Sequence, residues 1–387
     1  MLSIEPDSGP LTRWRNGLLL TLLAWLLINS LYAQAINPGH QFVSSAEVHP
    51  PLVALAMRHL PRLPREQADH LWFCFGIAAL LAAMGLFCLA AGIPLHDAPA
   101  VGIVMIVGFH FFPTLLDIWE THLTLPVLTL ICAAYYFDTT DHPYRLATCI
   151  AAAALLKTWV LALMLYLLIR RRPVAFVYGT GLFGGIVAAM FAEAGWRDRD
   201  AIVAVLNQWR SLQFVEGFAN QSILGFCRVH FSANSDMAPW IASDAIMYTA
   251  AGFGFLGLLG GLWLVCRRAP KARGDQARLV FGLTMVSLLL ALPVCSRSYL
   301  VLLLPVLWTL LTSEAVPIAA RGWTVIIYAV LTRSIHSIPE NPTAWDSVVP
   351  SAYFIGTAAL WLVLVNALRR GAARPSAVAA WSLRAAV

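Results

Sequence analysis

Long apolar runs separated by short polar segments make up most of the chain. A helical run of about 17–23 apolar residues can cross roughly 30 Å of hydrocarbon. The runs cover approximately residues 17–36, 70–92, 99–115, 122–137, 145–169, 173–194, 244–266, 278–295, 299–316, 321–338 and 350–368. This pattern predicts an all-α polytopic membrane protein with about 11–12 transmembrane helices. We expect a single integral membrane domain over residues 1–387.

The composition supports this class. Of the 387 residues, 59% are hydrophobic and 12% are charged, whereas soluble globular proteins have about 45–50% and about 25%. A water-soluble globular enzyme is therefore excluded. The seven cysteines lie mostly inside apolar runs, with no CxxC or Cys/His spacing. Neither a disulfide framework nor a zinc site is predicted.

The basic residues, which give a net charge of +6, cluster at the ends of apolar runs. Such clusters set membrane topology and do not indicate nucleic-acid binding. A single helix over 145–169 would place the Arg170–Arg172 cluster on the opposite side of the membrane from Arg13, which the positive-inside rule disfavours. We therefore predict a turn near Lys157, two short helices that cross up and back, and both termini in the cytoplasm.

Three long or polar segments then lie outside the cytoplasm, namely residues 37–69, 195–243 and 339–349. Residues 37–69 form the first extracytoplasmic loop, and residues 195–243 form the large one. In the first loop, Pro50 and Pro51 precede a short apolar segment. Proline suits the first turn of a helix, so this segment is predicted to be an interfacial helix along the membrane surface.

Acidic and imidazole side chains on this outer face are the first candidates for chemistry. Glu47 and His49 stand just before the interfacial helix; the alternative is an ordinary solvated loop. Asp117, Glu120 and His122 lie between two apolar runs. Acidic residues so close to the bilayer core are costly and are functional candidates by default. The alternative is that they cap helix ends at the interface.

Two cations and one polar cluster complete the candidates. Lys157 and Arg297 lie in or between apolar runs, where a lipid phosphate or a neighbouring carboxylate would supply the anion that each needs. The motif Asn220-Gln221-Ser222 is a weak match to a glycosylation acceptor. Together with Arg228, it is alternatively a group that binds sugar hydroxyls or a pyrophosphate. The pattern leaves both alternatives open.

Taken in chain order, four elements resemble glycosyltransferase family 87, polytopic enzymes of the GT-C superfamily. These elements are His49-Pro-Pro-Leu-Val-Ala-Leu, Leu156-Lys-Thr-Trp-Val, Asn220-Gln-Ser-Ile-Leu-Gly225 and Ser296-Arg-Ser-Tyr-Leu. The Asn-Gln-Ser element is the most specific of them. The resemblance implies a GT-C type fold in the bacterial plasma (inner) membrane, with the active site on the extracytoplasmic side.

The resemblance also implies the reaction. A sugar of the mannose or arabinofuranose type would move from a polyprenyl-phosphate donor to a cell-envelope glycan or glycolipid acceptor, without a nucleotide sugar. The family normally carries an acidic general base, an Asp, in the first outer loop. This chain has no Asp between Tyr32 and Glu47, so Glu47 is the predicted base, with Asp117 and Glu120 in reserve.

The remaining roles follow from the same reaction. The leaving phosphate develops charge that cationic side chains or a divalent cation must stabilise, and no other cofactor is predicted. Lys157, Arg297 and Arg228 are the predicted phosphate-binding residues, and His49 is expected to donate or accept a hydrogen bond at the base or the phosphate. The predicted substrate-binding residues are Asn220, Gln221, Ser222, His122 and Tyr299.

Two other functions use similar residues. A flippase or transporter for lipid-linked saccharides would also bind a lipid phosphate, and an O-antigen ligase-like protein would also have a large outer loop with arginines. A carrier should show polar residues along a path through the bilayer midplane. Here the polar residues gather on one face, which favours the enzyme.

Overall fold

The computed structural model describes residues 10–35, 64–120, 122–194, 220–232, 238–268, 270, 272, 274–333, 346 and 348–371, and these ranges are helical, with no strand. The helices are α1 (Pro10–Ala35), α2 (Arg65–Ala91), α3 (Ala98–Phe109), α4 (Phe112–Trp119), α5 (Thr124–Thr139), α6 (Pro143–Leu156), a first 3₁₀ helix (Thr158–Met164), α7 (Leu165–Ile169), α8 (Pro173–Ala194), α9 (Ile223–Phe231), α10 (Asp244–Arg268), α11 (Asp275–Ala291), a second 3₁₀ helix (Arg297–Leu303), α12 (Leu304–Thr312), α13 (Ile318–Leu331) and α14 (Ala352–Gly371).

Within the described ranges, four helices are long and apolar enough to cross a membrane, and they belong to α2, α8, α10 and α14. The bent pair α3 and α4 would make a fifth span. Shorter apolar segments cover Asn16–Tyr32, Thr124–Thr139, Pro143–Leu156, Thr158–Ile169, Arg297–Thr312 and Ile318–Leu331. The protein is therefore a multi-pass membrane protein, and its described residues form an all-helical fold. The described helices that can cross a membrane singly are fewer than the 11–12 predicted from the apolar runs, because several runs form short or interrupted helices.

The predicted turn at Lys157 is confirmed. Lys157 is extended (φ −139°, ψ 100°) and ends α6. Further along, Arg170 pairs with Asp138 at 3.3 Å and Arg172 pairs with Asp141. Both carboxylates stand just before α6, so the chain has returned to the level where α6 began. The two segments have the same length: the 14 residues of α6 rise about 21 Å, and the first 3₁₀ helix together with α7 also rises about 21 Å.

The predicted continuous run 99–115 is instead two helices, α3 and α4, inclined by 48°. Pro113 lies in the first turn of α4 and has no N–H to donate to the preceding turn. The Thr114 hydroxyl donates to the Gly108 carbonyl at 3.1 Å and so satisfies a group near the break. Proline and this side-chain hydrogen bond therefore account for the bend.

The two ends of the helical bundle differ in chemistry. The arginine end carries Arg170–Arg172 and the basic last turns of α10 and α14, which contain Arg267, Arg268, Arg369 and Arg370. Arg170 donates to the Ala272 carbonyl at 3.0 Å, which joins the segment after α7 to the segment after α10. The opposite end, which we call the site end, contains Asp117 in the last turn of α4 and the non-helical residues 120, 122–123, 157, 220–222 and 292–296.

Candidate functional site

Asp117 lies in the last turn of α4, and its side chain caps the N-terminus of α5. Its side chain is buried, with 1% of its surface exposed. Oδ1 accepts from the Thr124 N–H at 3.2 Å, and Oδ2 accepts from the Leu125 N–H at 3.0 Å. These two N–H groups belong to the first turn of α5 and have no acceptor within the helix. The carboxylate accepts from both of them, and its negative charge stabilises the N-terminus of the helix. Of the two alternatives left open by the sequence, this geometry favours the capping role for Asp117.

Glu120 and His122 form a pair beside this cap. His122 Nε2 and Glu120 Oε2 are 2.6 Å apart. The His122 side chain is 3% exposed, whereas the Glu120 side chain is 33% exposed. The pair thus combines an accessible carboxylate with a buried imidazole that fixes its orientation. Such a carboxylate can accept a proton from a hydroxyl that comes within hydrogen-bond reach.

Lys157 points its ammonium group into the same region. Its side chain is nearly buried, its Nζ lies 4.1 Å from the centre of the Tyr299 ring, and it interacts electrostatically with Asp117. Tyr299 in turn stacks on Trp159, with ring centres 5.4 Å apart. The cation therefore lies over an aromatic face, close enough to Asp117 for the two charges to interact.

Asn220 binds the bend that follows α11. Its Nδ2 donates to the Pro293 carbonyl at 2.9 Å. Its Oδ1 accepts from the Cys295 N–H at 2.9 Å and from the Ser222 N–H at 3.2 Å. Asn220 is 4% exposed. Its buried amide therefore fixes the surrounding backbone and is not an open glycosylation acceptor.

Gln221 connects the same bend to α14 through hydrogen bonds. Its N–H donates to the Cys295 carbonyl at 2.7 Å, and its Oε1 accepts from the Phe354 N–H at 3.0 Å. The Asn-Gln-Ser motif therefore fixes the segment that leads to Arg297 and Tyr299, and also the first turn of α14. In these contacts, the side-chain amides of Asn220 and Gln221, which were expected to bind substrate, form hydrogen bonds with backbone groups. Sequence alone did not identify this positioning role, since it depends on carbonyls some 70 residues away in the chain.

Gly225 allows the motif to fold so tightly. The Ser222 hydroxyl accepts from the Gly225 N–H at 3.0 Å and caps α9. A Cβ at position 225 would lie 2.5 Å from the Asn220 backbone oxygen. We expect Gly225→Ala to destabilise the protein by about 1–3 kcal/mol, because backbone must move. Thermal unfolding in detergent measures this effect.

The matched control for that substitution is Gly184→Ala in α8, where nothing lies within 4 Å of the added Cβ. Alanine at this helical position should leave the midpoint unchanged or raise it slightly. An equal loss of stability in the two variants would contradict the tight packing at Gly225.

The other predicted cations are placed as follows. Arg297 begins the second 3₁₀ helix, is partly exposed and interacts electrostatically with Tyr353 at the start of α14. Arg228 is partly buried on the last turn of α9. Glu47 and His49 lie outside the described residues, as does the predicted interfacial helix. In the described part of the chain, no three His, Cys, Asp or Glu side chains converge as metal ligands.

Sequence reasoning did not single out His230. It is fully buried on α9, where its Nε2 lies 2.9 Å from the Ser351 hydroxyl and its ring lies 4.1 Å from that of Trp240. Burial lowers the pKa of His230 to about 4. It is thus a neutral packing residue that ties α9 to the segment before α14. Its sequence context, a lone imidazole in an apolar stretch, gives no signal for this contact.

The site end therefore gathers Asp117, Glu120, His122, Lys157 and Tyr299 around one turn and two helix breaks. A family model for glycosyltransferase family 87 matches residues 48–293, more than half of the chain. The chain belongs to this family. It is therefore a membrane glycosyltransferase, which uses a sugar donor and an acceptor. No curated protein and no solved structure gives a significant match.

The range matched by the family 87 model covers most of the candidate site. It includes Asp117, Glu120, His122, Lys157 and the motif at 220–222. Glu47 stands one residue before the matched range, and Arg297 and Tyr299 follow it. The cation and the motif of the site end thus belong to the part of the chain that the family defines.

Proposed function

We propose that this glycosyltransferase moves a sugar of the mannose or arabinofuranose type from a polyprenyl-phosphate donor to a cell-envelope glycan or glycolipid acceptor. The observation that carries the proposal is the buried ammonium group of Lys157, which lies over the Tyr299 ring and interacts electrostatically with Asp117 at one end of the helical bundle. A cation at that depth is suited to a lipid-borne phosphate. The stacked rings of Trp159 and Tyr299 offer an apolar face to a sugar or an isoprenoid beside it.

The distribution of the arginines indicates how the protein is oriented in the membrane. The positive-inside rule assigns the arginine end to the cytoplasm. Near the start of α1, Asn16 donates to the His96 carbonyl at 3.0 Å, close to the start of α3, and α14 ends at the arginines. Both termini are then cytoplasmic in the bacterial plasma membrane. The site end faces the extracytoplasmic leaflet, where a polyprenyl-phosphate sugar meets an acceptor without a nucleotide donor.

The reaction is an inverting transfer. The acceptor hydroxyl oxygen attacks the anomeric carbon and forms the new glycosidic bond while a carboxylate takes the hydroxyl proton. The bond from the anomeric carbon to the phosphate oxygen breaks, and polyprenyl phosphate leaves with the bonding electrons. Lys157 and Arg297 stabilise the charge that develops on the phosphate. Glu47 is the first choice for the base, and Glu120, accessible and paired with His122, is the second.

The test is the transfer of radiolabelled sugar from polyprenyl-phosphate mannose or arabinose to lipid acceptors in membranes. Replacing the true base with glutamine should lower the rate by about 10²–10⁴-fold, because the proton then has no acceptor in the transition state. Glu47→Gln and Glu120→Gln are compared with Glu314→Gln, which changes an exposed carboxylate at the arginine end.

The outcomes separate the assignments. A loss confined to Glu47→Gln identifies the first-loop base, and a loss confined to Glu120→Gln moves the role to the Glu120–His122 pair. Full activity in both variants contradicts both assignments. Failure of the wild type to use either donor refutes the proposed donor class and gives priority to another sugar donor for this glycosyltransferase.

A further inference from the structure

A small cavity opens at the arginine end, far from the chemistry proposed above. Its volume is about 100 Å³ and it lies between the last turns of α10 and α14, over the first turns of α11. Most of its lining is apolar, with an arginine and a glutamine among the wall residues. The lining residues are Arg268, Gln276, Leu279, Val280, Ala315, Ala367 and Leu368.

The shape of this cavity follows from a close contact deeper in the membrane. Gly261 of α10 packs against the Trp361 ring of α14, where any Cβ would collide with the indole. Trp361 is fixed there by its Nε1–H, which donates to the Ser287 hydroxyl of α11 at 2.9 Å. From this contact, α10 and α14 continue for about 10–12 Å to their arginines. The contact thus closes the inner end of the cleft, and the arginines stand at its mouth.

The charge at the mouth is strongly positive. Arg268 lines the cavity, Arg267 is its neighbour, and Arg369 and Arg370 follow directly after the lining residue Leu368. The nearby Asp275 carboxylate is already bound by Arg278 and by the Ser313 hydroxyl. The exposed Glu314 is the remaining carboxylate beside the lining residue Ala315 in the described segment 313–317.

The surroundings also place the mouth at a lipid–water boundary. The Arg267 guanidinium lies 3.8 Å from the centre of the Trp263 ring, and that ring is 56% exposed. Exposed tryptophan beside arginine is typical of the headgroup level of a membrane. Leu259 and Leu362, both about 60% exposed, continue this surface toward the bilayer core. They provide an apolar surface along which acyl chains can lie.

We propose that this cleft is a binding site for one anionic phospholipid of the leaflet at the arginine end. Arg268 and Arg369 bind the phosphate, and the glycerol and proximal acyl carbons occupy the cavity over Leu279 and Leu368. Basic pockets between transmembrane helices bind anionic head groups in this way. The site is separate from the donor site, which lies at the other end of α11, and it does not depend on which sugar donor the enzyme uses.

The test measures lipid binding by the purified full-length protein in nanodiscs or detergent, with neither donor nor acceptor present. Native mass spectrometry follows the retention of phosphatidylglycerol against phosphatidylcholine. The wild type should retain one phosphatidylglycerol preferentially. In the double variant Arg268→Gln/Arg369→Gln, the affinity for that lipid should fall by about 30-fold, because each surface arginine contributes about a factor of five.

Two further variants make the result specific. Arg145→Gln removes an exposed arginine near the same end, over the Phe137 ring, and should leave retention unchanged. Ala315→Trp keeps every arginine but fills the cavity mouth, and should abolish retention of the specific lipid. The proposal is overturned if the wild type shows no preference for phosphatidylglycerol, if Arg145→Gln weakens binding as much as the double variant, or if Ala315→Trp has no effect.

Discussion

Replacing Lys157 with methionine should lower the rate of sugar transfer by about 10²–10³-fold, the usual effect of removing one group that stabilises charge in the transition state. The Lys157 ammonium group lies beside the Tyr299 ring and acts electrostatically on Asp117. Methionine retains the length and the contact with the ring but loses the charge. Radiolabelled transfer from a polyprenyl-phosphate donor in membranes measures the effect.

Lys157→Arg and Arg145→Gln are the controls for this prediction. Arginine keeps a cation at the helix break and should restore part of the activity, while Arg145→Gln removes a cation from the opposite end of the bundle and should have no effect on transfer. Because Lys157 is 6% exposed, each variant is also tested by thermal unfolding. Full activity in a folded Lys157→Met protein would exclude this residue from phosphate stabilisation.

Much of the fold could be predicted from the sequence, because hydropathy and charge act locally and additively. The break at Lys157 is an example: the three arginines after α7 could return to the side of Arg13 only if the run reversed, and Asp138 and Asp141 now hold two of them there. The bend between α3 and α4 could not be predicted in the same way. It depends on one proline inside an apolar run and on the hydroxyl of Thr114 that reaches back to Gly108.

The candidate site was predictable in composition but not in the division of roles. Lys157, His122 and Tyr299 do converge, since residues costly to bury are placed where they interact. The roles of Asn220 and Gln221 depend on backbone carbonyls and amides after α11 and at the start of α14, whose positions only the tertiary structure determines. A sequence shows a side chain's chemistry, but not whether a backbone group from elsewhere in the chain already occupies it.

Asp117→Ala should lower the stability of the protein more than any other single substitution at the site end. Both carboxylate oxygens accept backbone N–H groups of α5 in a buried position, and each charge-assisted bond contributes about 1.5–3 kcal/mol. The loss should therefore be about 3–5 kcal/mol, partly because the buried Lys157 also loses its anionic neighbour. The midpoint of thermal unfolding in detergent measures it.

Comparison with two further variants shows whether capping is the reason. Asp117→Asn keeps one acceptor oxygen but presents an amide to the second N–H, so it should recover only part of the stability. Asp244→Ala removes an exposed acidic residue from the first turn of α10, where the helix dipole alone gives an effect of about 0.3–1 kcal/mol. If Asp117→Ala kept the wild-type midpoint but lost transfer activity, Asp117 would be a catalytic residue and not the cap of α5. Capping thus predicts that stability and activity fall together.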